Sequence, residues 1–142
     1  LLSWISVKCT VAEFFPQTLV HGDYSPKNIL VHKDGIWVLD HEVAHWGDPC
    51  FDLAFMLNHL IIKAFIFADA RYRDAAQTFL DAYEPEPSLE ARTMVHLAVL
   101  MLARVDGKSP LAYLDEDQRR RIRDLARRRI LEPSDRLASY LP

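Results

Sequence analysis

Three oxygen-bearing side chains, Asp23, Asn28 and Asp40, are spaced so that they could meet. Between Asn28 and Asp40 lie two short apolar runs, Ile29-Leu30-Val31-His32 and Ile36-Trp37-Val38-Leu39, joined by Lys33-Asp34-Gly35. An Asp-Gly between β-type runs predicts a hairpin, because glycine accepts the positive φ that a tight turn needs. Antiparallel pairing keeps the sum of opposed residue numbers constant. A three-residue loop therefore sets Asn28 opposite Asp40, whereas a two-residue Asp34-Gly35 turn sets Asp40 opposite Ile29, next to Asn28. Asp23 precedes Asn28 closely, and Pro26 keeps the segment between them out of regular helix, so it can fold back beside the hairpin end. Two carboxylates and an amide oxygen suit a hard cation such as Mg²⁺, which keeps water and phosphate oxygens in its remaining positions. That is the chemistry of phosphoryl transfer.

A rival pattern overlaps this one. His41-Glu42-Val43-Ala44-His45 is a literal H-E-x-x-H, which binds zinc only when both histidines share one face of a helix and a third ligand follows. Here His41 directly follows a predicted strand, and Trp46-Gly47-Asp48-Pro49 begins a new helix cap. Too few residues remain for a zinc-binding helix, and His59 or His96 reads better as a core histidine than as a third ligand.

The elements that must position these residues follow from punctuation and periodicity. Leu2 to Phe15 reads as the end of a helix, stopped by Pro16. Asp48 is a natural N-cap and Pro49 a natural first helical residue, so an apolar helix runs from about Pro49 into the sixties. A second helix covers Ala70 to Tyr83. After Glu84-Pro85-Glu86-Pro87, Ser88 can cap a third, from Leu89 to about Val105. Asp115 with Gln118 predicts a capping box and a helix through about Leu131, acidic at its start and arginine-rich at its end. On it Ile122, Leu125, Ala126 and Ile130 form the buried side, and the arginines a solvated face. The fold class is α+β, mainly α: one hairpin packed on a helical bundle.

At 142 residues, half of them apolar, the chain can bury a core of its own, and a formal charge of −3 provides no broad basic field for nucleic acid or anionic membrane. Phe51 to Ala68 is apolar enough to resemble a membrane span, but Asp52, Asn58, His59 and Lys63 interrupt it and favour a core helix. Cys9 and Cys50, far apart, read as reduced thiols of a cytoplasmic protein. The start at Leu1-Leu2-Ser3-Trp4 reads as that of a fragment.

His21-Gly22-Asp23-Tyr24-Ser25-Pro26-Lys27-Asn28, then Leu39-Asp40-His41-Glu42 and Gly47-Asp48-Pro49-Cys50-Phe51-Asp52-Leu53-Ala54, also match the kinase spacing of H-x-D, Asn, hairpin and metal-binding Asp. The stretch resembles the C-terminal lobe of the aminoglycoside phosphotransferase and choline kinase-like family, which has the protein-kinase-like fold. The resemblance implies an ATP- and Mg²⁺-dependent kinase acting on a hydroxyl of a small molecule. It makes residues 1–142 a single C-lobe domain, with the catalytic loop, hairpin and metal loop over about 18–48 and a helical subdomain over about 49–142. It implies that Asp23 is the catalytic base, that Asn28 and Asp40 hold Mg²⁺, and that His21 and Asp52 support the loop structurally, Asp52 through backbone hydrogen bonds. Glu42 is either a further metal ligand or a solvated carboxylate. Ser25 and Lys27 are assigned to the nucleotide phosphates, Lys27 being otherwise an idle surface lysine. Trp46, in the loop past the metal site, either meets the substrate or covers the core, and Arg104, with Asp106 and Lys108, is a candidate for the substrate cleft.

Departures from the protein-kinase pattern matter too. Gly22 stands where protein kinases have an arginine, and Asp40-His41-Glu42 where they have Asp-Phe-Gly, which argues for a small-molecule acceptor. Only four glycines occur, none in a phosphate-cradling loop, and no strand lysine with a partner helix precedes the catalytic segment. The nucleotide-covering N-terminal lobe is thus expected in a longer parent, with this chain inactive alone. The alternative is a non-catalytic module, a degenerate kinase or truncated binding partner.

Overall fold

The computed structural model describes residues 18–107 and 110–142. The helix expected over Leu2 to Phe15, together with Cys9 and Lys108, lies outside the described residues. Four short strands come first, β1 (Thr18–Val20), β2 (Ile29–His32), β3 (Gly35–Val38) and β4 (His45–Gly47). Four helices follow, α1 (Cys50–Phe67), α2 (Ala70–Tyr83), α3 (Pro87–Asp106) and α4 (Glu116–Leu131). The described chain is therefore α+β and mainly helical.

The hairpin forms in a register that neither expected turn produces. Its pairs are Ile29↔Val38, Leu30↔Trp37, Val31↔Ile36 and His32↔Gly35, so the turn is Lys33-Asp34. Gly35, at φ +148°, opens β3 instead of sitting in the turn. The positive φ falls on the residue after the turn, and glycine accepts it there. Asn28 consequently faces Leu39, whose N–H donates to the Asn28 carbonyl at 2.8 Å. Asp40 comes one step later, with its backbone in the left-handed region at φ +68°.

A second ladder encloses the first. β1 pairs antiparallel with β4 through Thr18↔Gly47, Leu19↔Trp46 and Val20↔His45. Trp46 therefore lies on a strand and not in a loop, and at 64 % exposure it does not cover the core. Leu30, Val31, Ile36 and Trp37 of the inner hairpin are also exposed.

The helices bear out most of their expected bounds. The Asp48 carboxylate accepts from the Cys50 N–H at 3.0 Å, and Pro49 already has helical φ and ψ, as a cap and first-turn proline should. α1 has the length and composition of a membrane span, yet half of it is buried inside the bundle. It packs on α2 and α3, and α3 packs on α4. α3 starts at Pro87, ahead of the expected Ser88 cap, because a first-turn proline forfeits no intrahelical hydrogen bond. The capping box is complete, with Asp115 accepting from the Gln118 N–H and Gln118 accepting from the Asp115 N–H. Ile122, Ala126 and Ile130 point into a core built on Leu57, Ile61, Met94, Leu97 and Met101. Tyr140 seals that core from the C-terminus, its hydroxyl donating to the Met94 carbonyl at 2.8 Å.

Two buried or half-buried ion pairs fasten the bundle. Asp48, 3 % exposed, accepts from Arg92 of α3 at 2.7 Å from Nε and 3.3 Å from Nη2. Asp106 is paired with Arg123 of α4 at 2.9 Å, so its carboxylate joins two helices and is not a free cleft group. Burial pushes the Asp48 carboxyl up, but hydrogen bonds from Arg92 and the Cys50 amide outweigh that and hold it below the ordinary 3.8. Its charged form then stabilises the fold above the unfolded carboxyl's range, and this contribution is lost as pH falls through the lowered folded-state value. Arg92→Leu, which strands the buried carboxylate, should cost about 3 kcal/mol in urea unfolding at pH 7. The deficit should shrink on titration into acid.

Candidate active site

Nested ladders create the site. With β1·β4 outside and β2·β3 inside, the segments 21–28 and 39–44 are left facing each other without a ladder of their own. Cross-links take its place: His21 Nε2 lies 2.8 Å from the Leu39 carbonyl, and the Leu39 N–H reaches Asn28 as above. Gly22, at φ +81°, is required here, since a Cβ would lie 2.8 Å from the Val43 carbonyl oxygen.

Asp52, in the first turn of α1, holds this loop from below. Its Oδ2 accepts from the His21 N–H at 2.6 Å and its Oδ1 from the Gly22 N–H at 3.0 Å. His21 turns its ring back over the loop, and Nδ1 accepts from the Asp23 N–H at 3.2 Å. One carboxylate and one imidazole thus fix the backbone that carries Asp23.

Asp23 itself meets two partners. Asn28 Nδ2 donates to the Asp23 carbonyl at 2.9 Å and to Oδ2 at 3.1 Å, and Lys27 Nζ lies 2.7 Å from Oδ2. Burial would raise the Asp23 carboxyl, but the Lys27 and Asn28 hydrogen bonds prevail and leave it below the usual 3.8. It is ionised at neutral pH. Asn28 is buried, and with its NH₂ committed to Asp23 its Oδ1 accepts no bond from the described residues. The Asp40 carboxylate, just past Leu39 and exposed, likewise has no protein partner among them. Two unengaged hard oxygens at adjoining positions of one hairpin end are a chemically suitable pair for Mg²⁺.

Other expected contributors fall differently. Ser25 is fully buried, and its hydroxyl has no hydrogen-bond partner among the described residues. Glu42 stands exposed in the turn after Asp40. That turn is closed by the Ala44 N–H and the His41 carbonyl at 3.0 Å, and His45 begins β4, so the helix that a zinc reading of H-E-x-x-H needs is replaced by a turn and a strand. A cavity of about 420 Å³ opens behind the loop, lined by Val20, His21, Tyr24, Asp52 and Phe79 among others; Asp23, Asn28 and Asp40 stand outside it.

His59, on an apolar helix, lies against Arg104. Burial first, and then the Arg104 charge, push it down to about 4, while Asp23 pulls the other way. It is a neutral imidazole placed within the fields of both. Its position one helical turn after Phe55 on α1 is the only signal the sequence carries for it.

These features define an α+β, mainly helical protein that carries an acidic loop between nested ladders. Residues 10–91, more than half of the chain, match the model of the Phosphotransferase enzyme family, and the chain belongs to that family. The match spans both ladders, α1 and α2, and ends within the first turns of α3. No solved structure matches the chain.

Removing the support of the loop should be measurable. Asp52→Ala should destabilise the fold by about 2–3 kcal/mol, the range for hydrogen bonds to a charged group, and hydrogen exchange at the His21 and Gly22 amides should speed up more than exchange in α3. Equal protection in variant and parent would show that the loop is held by something else.

Proposed function

We propose that the chain forms the C-terminal lobe of an ATP- and Mg²⁺-dependent kinase with the protein-kinase-like fold, transferring the γ-phosphoryl group to a hydroxyl of a small molecule. The observation that carries this reading is the double hydrogen bond from Asn28 to Asp23, which joins the two residues and leaves Oδ1 of Asn28 without a partner among the described residues, at the hairpin end that continues into Asp40. Family membership supports a phosphotransferase in general; the acceptor and the roles below are our inference.

Asp23 accepts the hydrogen bond of the acceptor hydroxyl and aligns its oxygen with the phosphorus. Its lowered pKa makes it a weak base before transfer, so its first contribution is orientation, and it takes the proton as the new bond forms and the hydroxyl acidifies. Asn28 Oδ1 and the Asp40 carboxylate, with Glu42 close in sequence, are the oxygens that would hold Mg²⁺, which when bound neutralises charge on the nucleotide phosphates. Lys27 is exposed and tied to Asp23 by a surface ion pair of the weak kind. An arriving phosphate oxygen competes readily for its ammonium. His21 and Asp52 keep the loop in place, and Trp46 stands exposed on β4, where a bound molecule can reach it.

These 142 residues contain no glycine-rich phosphate loop, so we infer that a nucleotide-covering lobe acts with them. On that reading, calorimetric titration of the 142-residue chain with ATP and Mg²⁺ should give weak binding, and tight binding would refute the need for such a lobe. In the full-length protein, Asp23→Asn should lower kcat by about a hundredfold or more with ATP affinity nearly unchanged. Retained turnover would remove Asp23 from the chemistry.

A further inference from the structure

We propose that the acceptor carries an anionic group, a carboxylate or a phosphate, and that Arg104 receives it. This rests on the kinase reading above and adds to it the chemical class of the substrate. Arg104 lies near the end of α3, past the residues that the family model covers.

The guanidinium is positioned but not neutralised. Its Nη2 lies 3.3 Å from Nε2 of His59, and its Cζ stands 5.3 Å from the centre of the Phe55 ring. The Phe55 and His59 rings are themselves 5.2 Å apart, so α1 presents a two-ring clamp to the arginine. Both clamp groups are uncharged, since the imidazole accepts from the arginine. Among the described residues no carboxylate pairs with Arg104. Arg71, Arg92, Arg120, Arg123 and Arg127 each face an aspartate, whereas Arg104, like Arg121 over the Phe65 ring, rests on a ring. The half-buried guanidinium of Arg104 has only Nη2 engaged among the described residues, by His59, and so keeps donors for something from outside.

That something is near the chemistry. Asp52, Phe55 and His59 follow at i, i+3 and i+7 along one face of α1, and Asp52 grips the backbone of residues 21 and 22, immediately before Asp23. The Arg104 that touches His59 is thus on the side of the helix that carries the loop, and Asp23 and Arg104 both act electrostatically on that imidazole. Lys63, one turn further along α1, stands over the Tyr72 ring and makes no ion pair among the described residues. Lys27 is paired with Asp23, so Lys63 and Arg104 are the cations around His59 without an ion-pair partner among the described residues. A polyamine or amino sugar would bring ammonium groups against an uncompensated guanidinium, whereas a carboxylate or phosphate would meet a rigid bidentate partner.

The test uses the full-length protein with ATP, Mg²⁺ and matched acceptors: hydroxy acids and phosphorylated alcohols, their neutral amides or parent alcohols, and amino alcohols. Anionic members should be the preferred acceptors. Arg104→Ala should raise their KM about ten- to a hundredfold, as loss of a charge-assisted pair implies, with kcat little changed and the KM of the neutral analogues unmoved. Arg104→Lys should recover part of the loss, which a purely structural arginine would not show. Preference for neutral or cationic acceptors would overturn the inference alone, as would a rise confined to the KM for ATP, which would put the guanidinium on the nucleotide. Failure of every acceptor, with ATP turnover indifferent to Asp23→Asn, would overturn the kinase reading and this inference with it.

Discussion

One carboxylate bears the loop. Asp52 accepts from two consecutive backbone amides, His21 and Gly22, that belong to no helix or ladder, and buried or half-buried amides must find an acceptor somewhere. Placing that acceptor in the first turn of a helix is favourable twice, because the positive end of the helix dipole also stabilises its charge. The consequence runs outward through further aspartates. Asp48 caps the same helix and reaches Arg92 on α3, and Asp106 at the end of α3 reaches Arg123 on α4. The irregular part of the molecule is thus referred, step by step, to its most regular part.

The same economy governs charge around Asp23. The loop holds the carboxylate close to a cation and an amide donor, which keeps it ionised, while burial and the Arg104 charge keep His59 on α1 neutral at pH 7. His59 can then accept a hydrogen bond from Arg104 without repelling it. If it were charged, the arginine would lose its anchor and the cluster on α1 and α3 would come apart. Burial of one histidine thus keeps it neutral, which its hydrogen bond from Arg104 requires.

Much of this was legible in residue order. Caps are local, so Asp48-Pro49 and Asp115 with Gln118 mark their helix starts within a residue, and the Phosphotransferase enzyme family is readable in His21 to Asn28 and Asp48 to Ala54. The hairpin was visible, but its register was not: Asp34-Gly35 resembles a turn, and only the φ of Gly35 reveals that the turn closes one residue earlier. β1 and β4 were invisible as a pair because three-residue strands separated by residues 21–44 leave no local trace. Ser25 looked available by its place in the motif and is buried by the fold. The Asp48–Arg92 and His59–Arg104 contacts join residues more than forty positions apart, where only tertiary packing decides who meets whom.

Among the described residues, each of the two nested ladders has only two strands. A two-stranded sheet consists entirely of edges, with backbone donors and acceptors pointing outward on both sides. On the inner hairpin those edges carry Leu30, Val31, Ile36 and Trp37, all exposed. Such a surface is a template for strand addition. The inner hairpin is therefore where an added strand would meet free backbone groups and exposed apolar side chains together.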